Sequence, residues 1–277
     1  LNSNILTYSS KFQKKKIFII LTITLLLLSC LPLFSIQTYA DAQATTLFSD
    51  GFENGNFSAW TATKSYNTGL TASVQTATVF NGTYAMKVAV VDVAGRESGV
   101  CEYKDLGTSY SSIDARVYVQ LSAKPQTGSA LEILGFSSNG WLPSAIGTRL
   151  DIVNPNGTVQ WRLNYNNNGW QSALAGSINV NTWYYVEVQL VLGSGTGETH
   201  LYVNGTELLT ETGLTNTASG NSVRYFSLGV DDETGNNTLN AFFDSVAVTQ
   251  GYMGPDPTHS PSPTPTPTPS PTPTPTP

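Results

Sequence analysis

Thr158-Val159-Gln160-Trp161-Arg162-Leu163-Asn164-Tyr165 alternates apolar and polar residues without a break. Successive side chains of a strand point to opposite faces, so Val159, Trp161, Leu163 and Tyr165 share one face and Gln160, Arg162 and Asn164 share the other. No helical stripe fits that spacing. The same period returns from Trp183 to Leu192, where Tyr184, Val186, Val188, Leu190 and Leu192 line up against Glu187 and Gln189. Asn154-Pro155-Asn156-Gly157, Asn166-Asn167-Asn168-Gly169 and Asn204-Gly205 punctuate the runs with residues that accept positive φ, as tight turns require. Working outward, strands are expected over 47–52, 71–79, 84–91, 99–106, 113–121, 129–136, 146–153, 158–165, 183–192, 199–204, 206–210, 223–230 and 240–249. Strands joined by short turns with no helices between them form antiparallel sheets. The expected fold is all-β, a two-sheet antiparallel β-sandwich of jelly-roll type.

The two ends differ from this middle. Lys11 and Lys14-Lys15-Lys16 precede an apolar run from Ile17 to Ile36, with small residues at Ala40 and Ala44. Residues 1–44 read as a signal peptide region, with 10–16 its basic segment and 17–36 its hydrophobic one. The run also reaches the ~20 apolar residues that an uncleaved membrane anchor takes. Cys30, in Leu27-Leu28-Ser29-Cys30, follows no Gly or Ala, which argues against a lipid anchor there. Residues 252–277 lead into Pro alternating with Thr or Ser, a composition that stays extended and acts as a linker or stalk. O-glycans on its Thr and Ser, and attachment to a membrane, cell wall or further module, are expectations from that composition. The sandwich itself is expected over 45–251.

Formal net charge is −6, and the four lysines of the leader would depart with it. Nucleic acid and anionic membrane surfaces are thereby disfavoured as partners. Beyond the leader the only cysteine is Cys101. No internal disulfide can form, so packing or a metal must hold the domain, and Cys101 is expected to be buried rather than reactive.

Two acidic segments, Asp50-Gly51-Phe52-Glu53 and Phe242-Phe243-Asp244-Ser245-Val246-Ala247-Val248, bracket the expected sandwich. Alternation places Asp244 in line with Phe242, Val246 and Val248, where a carboxylate needs a partner. Glu53, Asp50 and a metal ion are the candidates. Ca2+ accepts about six to eight oxygen ligands, backbone carbonyls among them, so Asp50, Glu53 and Asp244 are the expected ligands of a structural calcium. The competing reading makes Asp50 and Glu53 turn residues and satisfies Asp244 with backbone amides. Asp231-Asp232-Glu233 lacks the spacing of a calcium loop and reads as a solvated turn.

Asn181-Thr182-Trp183-Tyr184-Tyr185-Val186-Glu187-Val188, Thr199-His200-Leu201-Tyr202-Val203-Asn204-Gly205-Thr206 and Ala241-Phe242-Phe243-Asp244-Ser245-Val246-Ala247-Val248 together resemble the C-terminal half of laminin G-like, concanavalin A-like jelly rolls. The opening Asp50-Gly51-Phe52-Glu53 with Trp60 is similar to that of many jelly-roll carbohydrate-binding modules. There, a glutamate near the first strand and an aspartate in the last share a calcium. The resemblance implies the fold over Leu47 to Thr249, and leaves lectins, adhesion modules, hydrolases and lyases all open.

Glycoside hydrolysis needs placed carboxylates, and elimination needs a base such as His or Tyr. Glu132 stands alone in Leu131-Glu132-Ile133-Leu134, Glu187 is flanked by Val, and His200 is expected to make a cross-strand surface contact. Catalysis is therefore disfavoured. Sugar rings pack C–H patches on aromatic faces, and Trp141 and Trp170 follow glycines in expected loops where core packing does not explain them. Trp60 and Trp183 are expected in the core. Trp161 and Tyr165 either fill the core or line a platform, with Arg149, Arg162 and Asn164 facing the other way. The expected function is a secreted or cell-surface, non-catalytic carbohydrate-binding or adhesion domain, with Trp141, Trp170 and Tyr165 contacting a polysaccharide or glycan. The alternatives are a polysaccharide-active hydrolase or lyase of the same fold, and a structural surface-adhesion module that binds protein.

Overall fold

The computed structural model describes residues 44–67, 69–91, 97–138, 147–217, 220–232 and 237–254. The leader, the Pro/Thr run and Trp141 lie outside the described residues. The strands are β1 (Thr45–Asp50), β2 (Ala62–Tyr66), β3 (Leu70–Gln75), β4 (Ala85–Val90), β5 (Ser98–Tyr110), β6 (Ser112–Leu121), β7 (Ser129–Ser137) and β8 (Thr148–Asn154). They continue with β9 (Gln160–Asn166), β10 (Trp170–Ala175), β11 (Tyr184–Val191), β12 (Ser194–Val203), β13 (Thr206–Thr215), β14 (Val223–Asp232) and β15 (Leu239–Gln250). One sheet has eight strands in the order β13-β12-β11-β6-β15-β4-β3, with β1 also on β15; the other has seven, β10-β9-β8-β7-β14-β5-β2. The pairings are antiparallel throughout.

β2 and β10 escape the alternation read from the sequence. They are the two edges of the seven-stranded sheet, and an edge strand has fewer neighbours to pack against, so period-two patterning is weakly imposed. Trp170 accordingly opens a strand rather than sitting in a loop.

Between the sheets lies an apolar core to which β9 gives Trp161 and Leu163, β11 gives Val186, Val188 and Leu190, and β14 gives Phe226 and Leu228. Trp161 meets Tyr184 of the opposite sheet edge to face, with ring centroids 5.8 Å apart. That contact settles the orientation of β9: Trp161 points inward and Arg162 and Asn164 outward. Trp60 is buried as expected, and its indole nitrogen donates to Asp50 Oδ2 at 2.8 Å. Cys101 is buried and is not in a disulfide.

β15 departs from simple alternation. Leu239–Phe243 pairs with β4, Val246–Gln250 pairs with β1, and the register against β6 breaks between Asp244 and Ala247. Ser245 at that break has φ 49°, a β-bulge geometry that turns the next side chains over. Ala241, Phe243, Val246 and Val248 therefore all face the core. The expected alignment of Asp244 with Val246 and Val248 is corrected: Asp244 shares the outer side with Phe242, at the point where β4 hands over to β1.

Candidate functional site

The outer face of the seven-stranded sheet carries a row of charges. Register pairs Asp231 of β14 with Glu132 of β7, Glu132 with Asp151 of β8, and Asp151 with Arg162 of β9. A second row pairs Gly135 with Arg149, and Arg149 with Asn164. Facing cross-strand residues have Cβ atoms about 4.5–5.5 Å apart, so acids and guanidiniums on these rows are within reach of one another. Arg149 Nη1 donates to Glu132 Oε2 at 2.8 Å, and its Nε stands 3.7 Å from Asp151 Oδ1. Arg162 Nε donates to Asp151 Oδ2 at 2.8 Å, a second guanidinium nitrogen contacts the same oxygen, and Asn164 Nδ2 reaches it at 2.7 Å. The Tyr66 hydroxyl donates to Asp231 Oδ1.

Glu132 and Asp151 are fully buried, whereas the guanidiniums remain partly open to solvent. Burial pushes the Asp151 carboxyl up, and Arg162 and Arg149 pull it back. Three N–H donors on one oxygen are what an ionised carboxylate accepts. Burial and then the hydrogen bond to Asp231 push the Tyr66 hydroxyl far above its ordinary value. Glu102 points the other way, to the core side, where the Thr63 hydroxyl donates to it at 2.8 Å.

Trp170 stands at the end of this face. It is 46% exposed, it pairs with Asn166 on the outward side of β9, and the Arg149 guanidinium lies 5.7 Å from its ring centroid. Leu174, 48% exposed, lies in the same strand opposite Arg162. Tyr165 alternates with Trp161 and Leu163 and so lies on the core side of β9; the structure does not bring it together with Trp170. Sequence reading missed the acid row because its members come from three distant segments. A signal was present: Leu131-Glu132-Ile133 and Leu150-Asp151-Ile152 each bury a charge in an apolar run, which calls for an opposite charge on a neighbouring strand.

The three expected calcium ligands act on loops. Asp50 Oδ1 accepts the Phe52 amide at 2.9 Å. Glu53 accepts Thr83 N at 3.0 Å and Tyr84 N at 3.1 Å, and Gly82, with φ 74°, leaves room for its carboxylate where a Cβ would collide. Asp244 Oδ2 accepts Phe80 N at 2.9 Å and Asn81 N at 3.0 Å, while Oδ1 accepts Ser245 N. Carboxylates from the first and last segments thus grip opposite ends of the 80–84 loop. Beside them a cavity of about 350 Å³ is lined by Asp50, Glu53, Asn54, Asn81, Arg116 and Ser245, among others, but not by Asp244. Among the described residues no three of His, Cys, Asp or Glu gather as a metal cluster. The side-chain donors that the cavity offers are chiefly oxygens, the chemistry a hard cation accepts.

The outer face of the eight-stranded sheet is covered. Residues 251–254 cross it: Met253 N donates to Glu187 Oε1 at 2.9 Å, and Tyr252 packs on Tyr202 with centroids 4.6 Å apart. The Tyr185 hydroxyl sits between the Gly254 carbonyl, at 2.7 Å, and the Glu187 carboxyl. The Arg116 guanidinium, cross-strand from Glu187, lies 5.9 Å from the centroid of the Tyr185 ring. Burial raises the Glu187 carboxyl, and the Tyr185 hydroxyl, the Met253 amide and the Arg116 charge pull it back. Asp114 is 0% exposed, with the Gly251 backbone and the Gln189 side chain as its hydrogen-bonding neighbours. Burial and then the charge of Glu187 push it up to about 7. His200 lies at the rim, its Nδ1 2.7 Å from Glu207 Oε1, in the cross-strand role expected for it. Trp183 is half-buried against Phe80 on this side, rather than in the central core where it was expected.

Comparison with known proteins agrees with this architecture. The family described as Laminin_G_3, the concanavalin A-like lectin/glucanases superfamily, matches residues 105–256. Among solved structures, an endo-β-1,4-glucuronan lyase from the fungus Trichoderma reesei superposes with a TM-score of 0.59 at 20% identity, covering 74% of this chain and 96% of that one. The cellulose induced protein Cip1 gives 0.53 at 16% identity, over 75% and 99% of the two chains. The alginate lyase Aly36B gives 0.52 at 15% identity, over 77% and 98%. What these share with the chain is the fold. No curated protein matches it.

Proposed function

The chain belongs to the concanavalin A-like lectin/glucanases superfamily, and on that premise we propose that it is a secreted or surface-held carbohydrate-binding domain whose glycan lies on the outer face of the seven-stranded sheet. The observation that carries the reading is Trp170: a large aromatic ring, 46% exposed, beside a floor of guanidinium and amide donors. A pyranose can pack its C–H face on such a ring while Arg149, Arg162 and Asn164 meet its hydroxyls. Rigid, mutually paired side chains lose little freedom on binding, which favours affinity. Binding is favoured over hydrolysis because a glycosidase needs one carboxyl that keeps its proton and another that attacks or activates water. Glu132 and Asp151 are instead tied to guanidiniums. Tyr66, which reaches the same row, is held protonated and is poorly placed to act as the base of an elimination.

Affinity electrophoresis against a polysaccharide panel tests the reading. Trp170→Ala should weaken retention by about tenfold or more while leaving the melting temperature near that of the parent. Retention unchanged by the substitution would remove Trp170 from the site, and release of reducing or unsaturated ends would restore the enzyme reading.

We also propose a structural calcium in the cavity beside the 80–84 loop, with Asp50 and Glu53 among its holders and Asp244 steadying the loop from behind. Bound there, the ion would neutralise the two carboxylates and tie the segment after β1 to the loop before β4. Thermal melts with calcium and with chelator should then differ by several degrees. Coincident melts would sink the proposal.

A further inference from the structure

We propose that the polysaccharide taken by the outer face of the seven-stranded sheet is an uncharged one, not a polyuronate. The inference rests on the glycan reading above and names its substrate class. A polyuronate is recognised by cations that have no other anion to serve, Arg in a bidentate fork above all. Both guanidiniums at the centre of this face are already committed. Arg149 holds Glu132, and Arg162 holds Asp151 through two nitrogens. Asp231 stands next in the row, paired with Glu132 across the strands, so carboxylates outnumber guanidiniums there. Lys64, on the outward side of β2, lies over the Tyr103 ring, with its ammonium 4.7 Å from the centroid.

A carboxylate entering from solvent would have to pull Arg149 or Arg162 off a fully buried partner and leave that partner's charge uncompensated, a strongly unfavourable exchange. Juxtaposing like charges adds a repulsive element that discriminates against anionic chains. A neutral sugar makes no such demand. Its hydroxyls can accept from the outer guanidinium N–H groups and donate to carboxylate lone pairs while every ion pair stays in place. The apolar partners suit it too, since Trp170 and Leu174 are both about half exposed along one edge.

The experiment is affinity electrophoresis and calorimetry of the full chain. Neutral β-glucan, xylan and mannan are compared with alginate and polygalacturonate, each at low and at raised sodium chloride. The expected result is retention by at least one neutral polymer, little changed by salt, and at least tenfold weaker retention by both polyuronates. Polyuronate binding that is tighter than neutral binding and collapses with salt overturns the inference while leaving the glycan site standing. Binding of neither class brings down the glycan reading itself. Two charge variants sharpen the result. Glu132→Gln and, should that variant fold poorly, Asp231→Asn each remove one negative charge from the row, and at least a tenfold gain in polyuronate retention is expected. A folded variant with no gain overturns the charge argument.

Discussion

On the outer face of the seven-stranded sheet the buried acids Glu132 and Asp151 are hydrogen-bonded to guanidiniums; on the outer face of the eight-stranded sheet Asp114 meets Gln189 and Gly251, and Glu187 meets Tyr185 and the crossing segment 251–254, with Arg116 cross-strand from it. Both faces remove carboxyls from water, and they differ in what compensates. Opposite charge keeps the first set ionised and leaves an ordered polar surface that a ligand can reach. Burial pushes the second set toward the protonated form with Arg116 beside Glu187, and residues 251–254 lie across it. The sandwich thus has one open face whose buried acids are ion-paired, and one face, also carrying Arg116 and His200, whose buried acids lie under residues 251–254.

The contrast breaks most easily at Arg162. Removing one partner of a buried ion pair leaves the other charge stranded, at about 3–5 kcal/mol. Arg162→Met should therefore lower stability by about 3 kcal/mol or more at neutral pH, read from urea melts at unchanged m-value. A loss under about 1 kcal/mol would mean that Asp151 is not ionised or not dry, and the two faces would no longer differ in kind.

At Asp114 removal of charge should act in the opposite direction. Its carboxyl is raised to about 7 in the fold, against an ordinary value near 3.8. The folded chain therefore binds a proton that the unfolded chain has released over that interval. The stability this proton contributes is fully present below about pH 4 and is lost as pH rises through about 7. Asp114→Asn keeps the shape and cannot ionise. Relative to the parent it should gain on the order of 3 kcal/mol between pH 4 and pH 8.5, accruing steadily across the interval between the two pKa values and levelling off above about 7. Asp151→Asn, which takes the carboxylate away from Arg162, should not show that gain. Parallel pH profiles for the two variants would erase the distinction between the faces.

The sequence carried much of this architecture and little of the site. Alternation in 158–165 and 183–192 is strong because those strands are central and packed on both sides, so every second residue is held by the core. β2 and β10 are edges, where the same pressure is weak, and Trp170 was thereby read as a loop residue. The Asp244 bulge could not be read from alternation either, because inserting one residue reverses the pattern with no change in composition. Glu132 looked solitary for a different reason: its partners Arg149, Asp151 and Asp231 are joined to it by strand pairing across the sheet, and pairing order is not written locally. The carboxylate pair Glu53 and Asp244 fell between the two. Glu53 and Asp244 hold the two ends of the 80–84 loop through its backbone amides.

The smallest effect concerns the covering segment. Tyr252 is 41% exposed and packs on Tyr202, and such an aromatic pair contributes about 0.5–1.5 kcal/mol. Tyr252→Ala should thus cost about 1 kcal/mol, and the cost should be local. Hydrogen exchange reads it directly: the Met253 amide, bonded to Glu187, should lose protection, while amides of β11 beneath it keep theirs. Once residues 251–254 lift, water reaches Asp114 and Glu187, so the ionisation of Asp114 should move down toward the ordinary carboxylate range. Glycan affinity on the opposite face should stay as it was, because the core between the sheets and the paired charges of the other face are untouched. A change in affinity would show that the covered face and the open face are coupled, and the one-sided reading would have to give way to one in which the segment before the Pro/Thr run tunes the site.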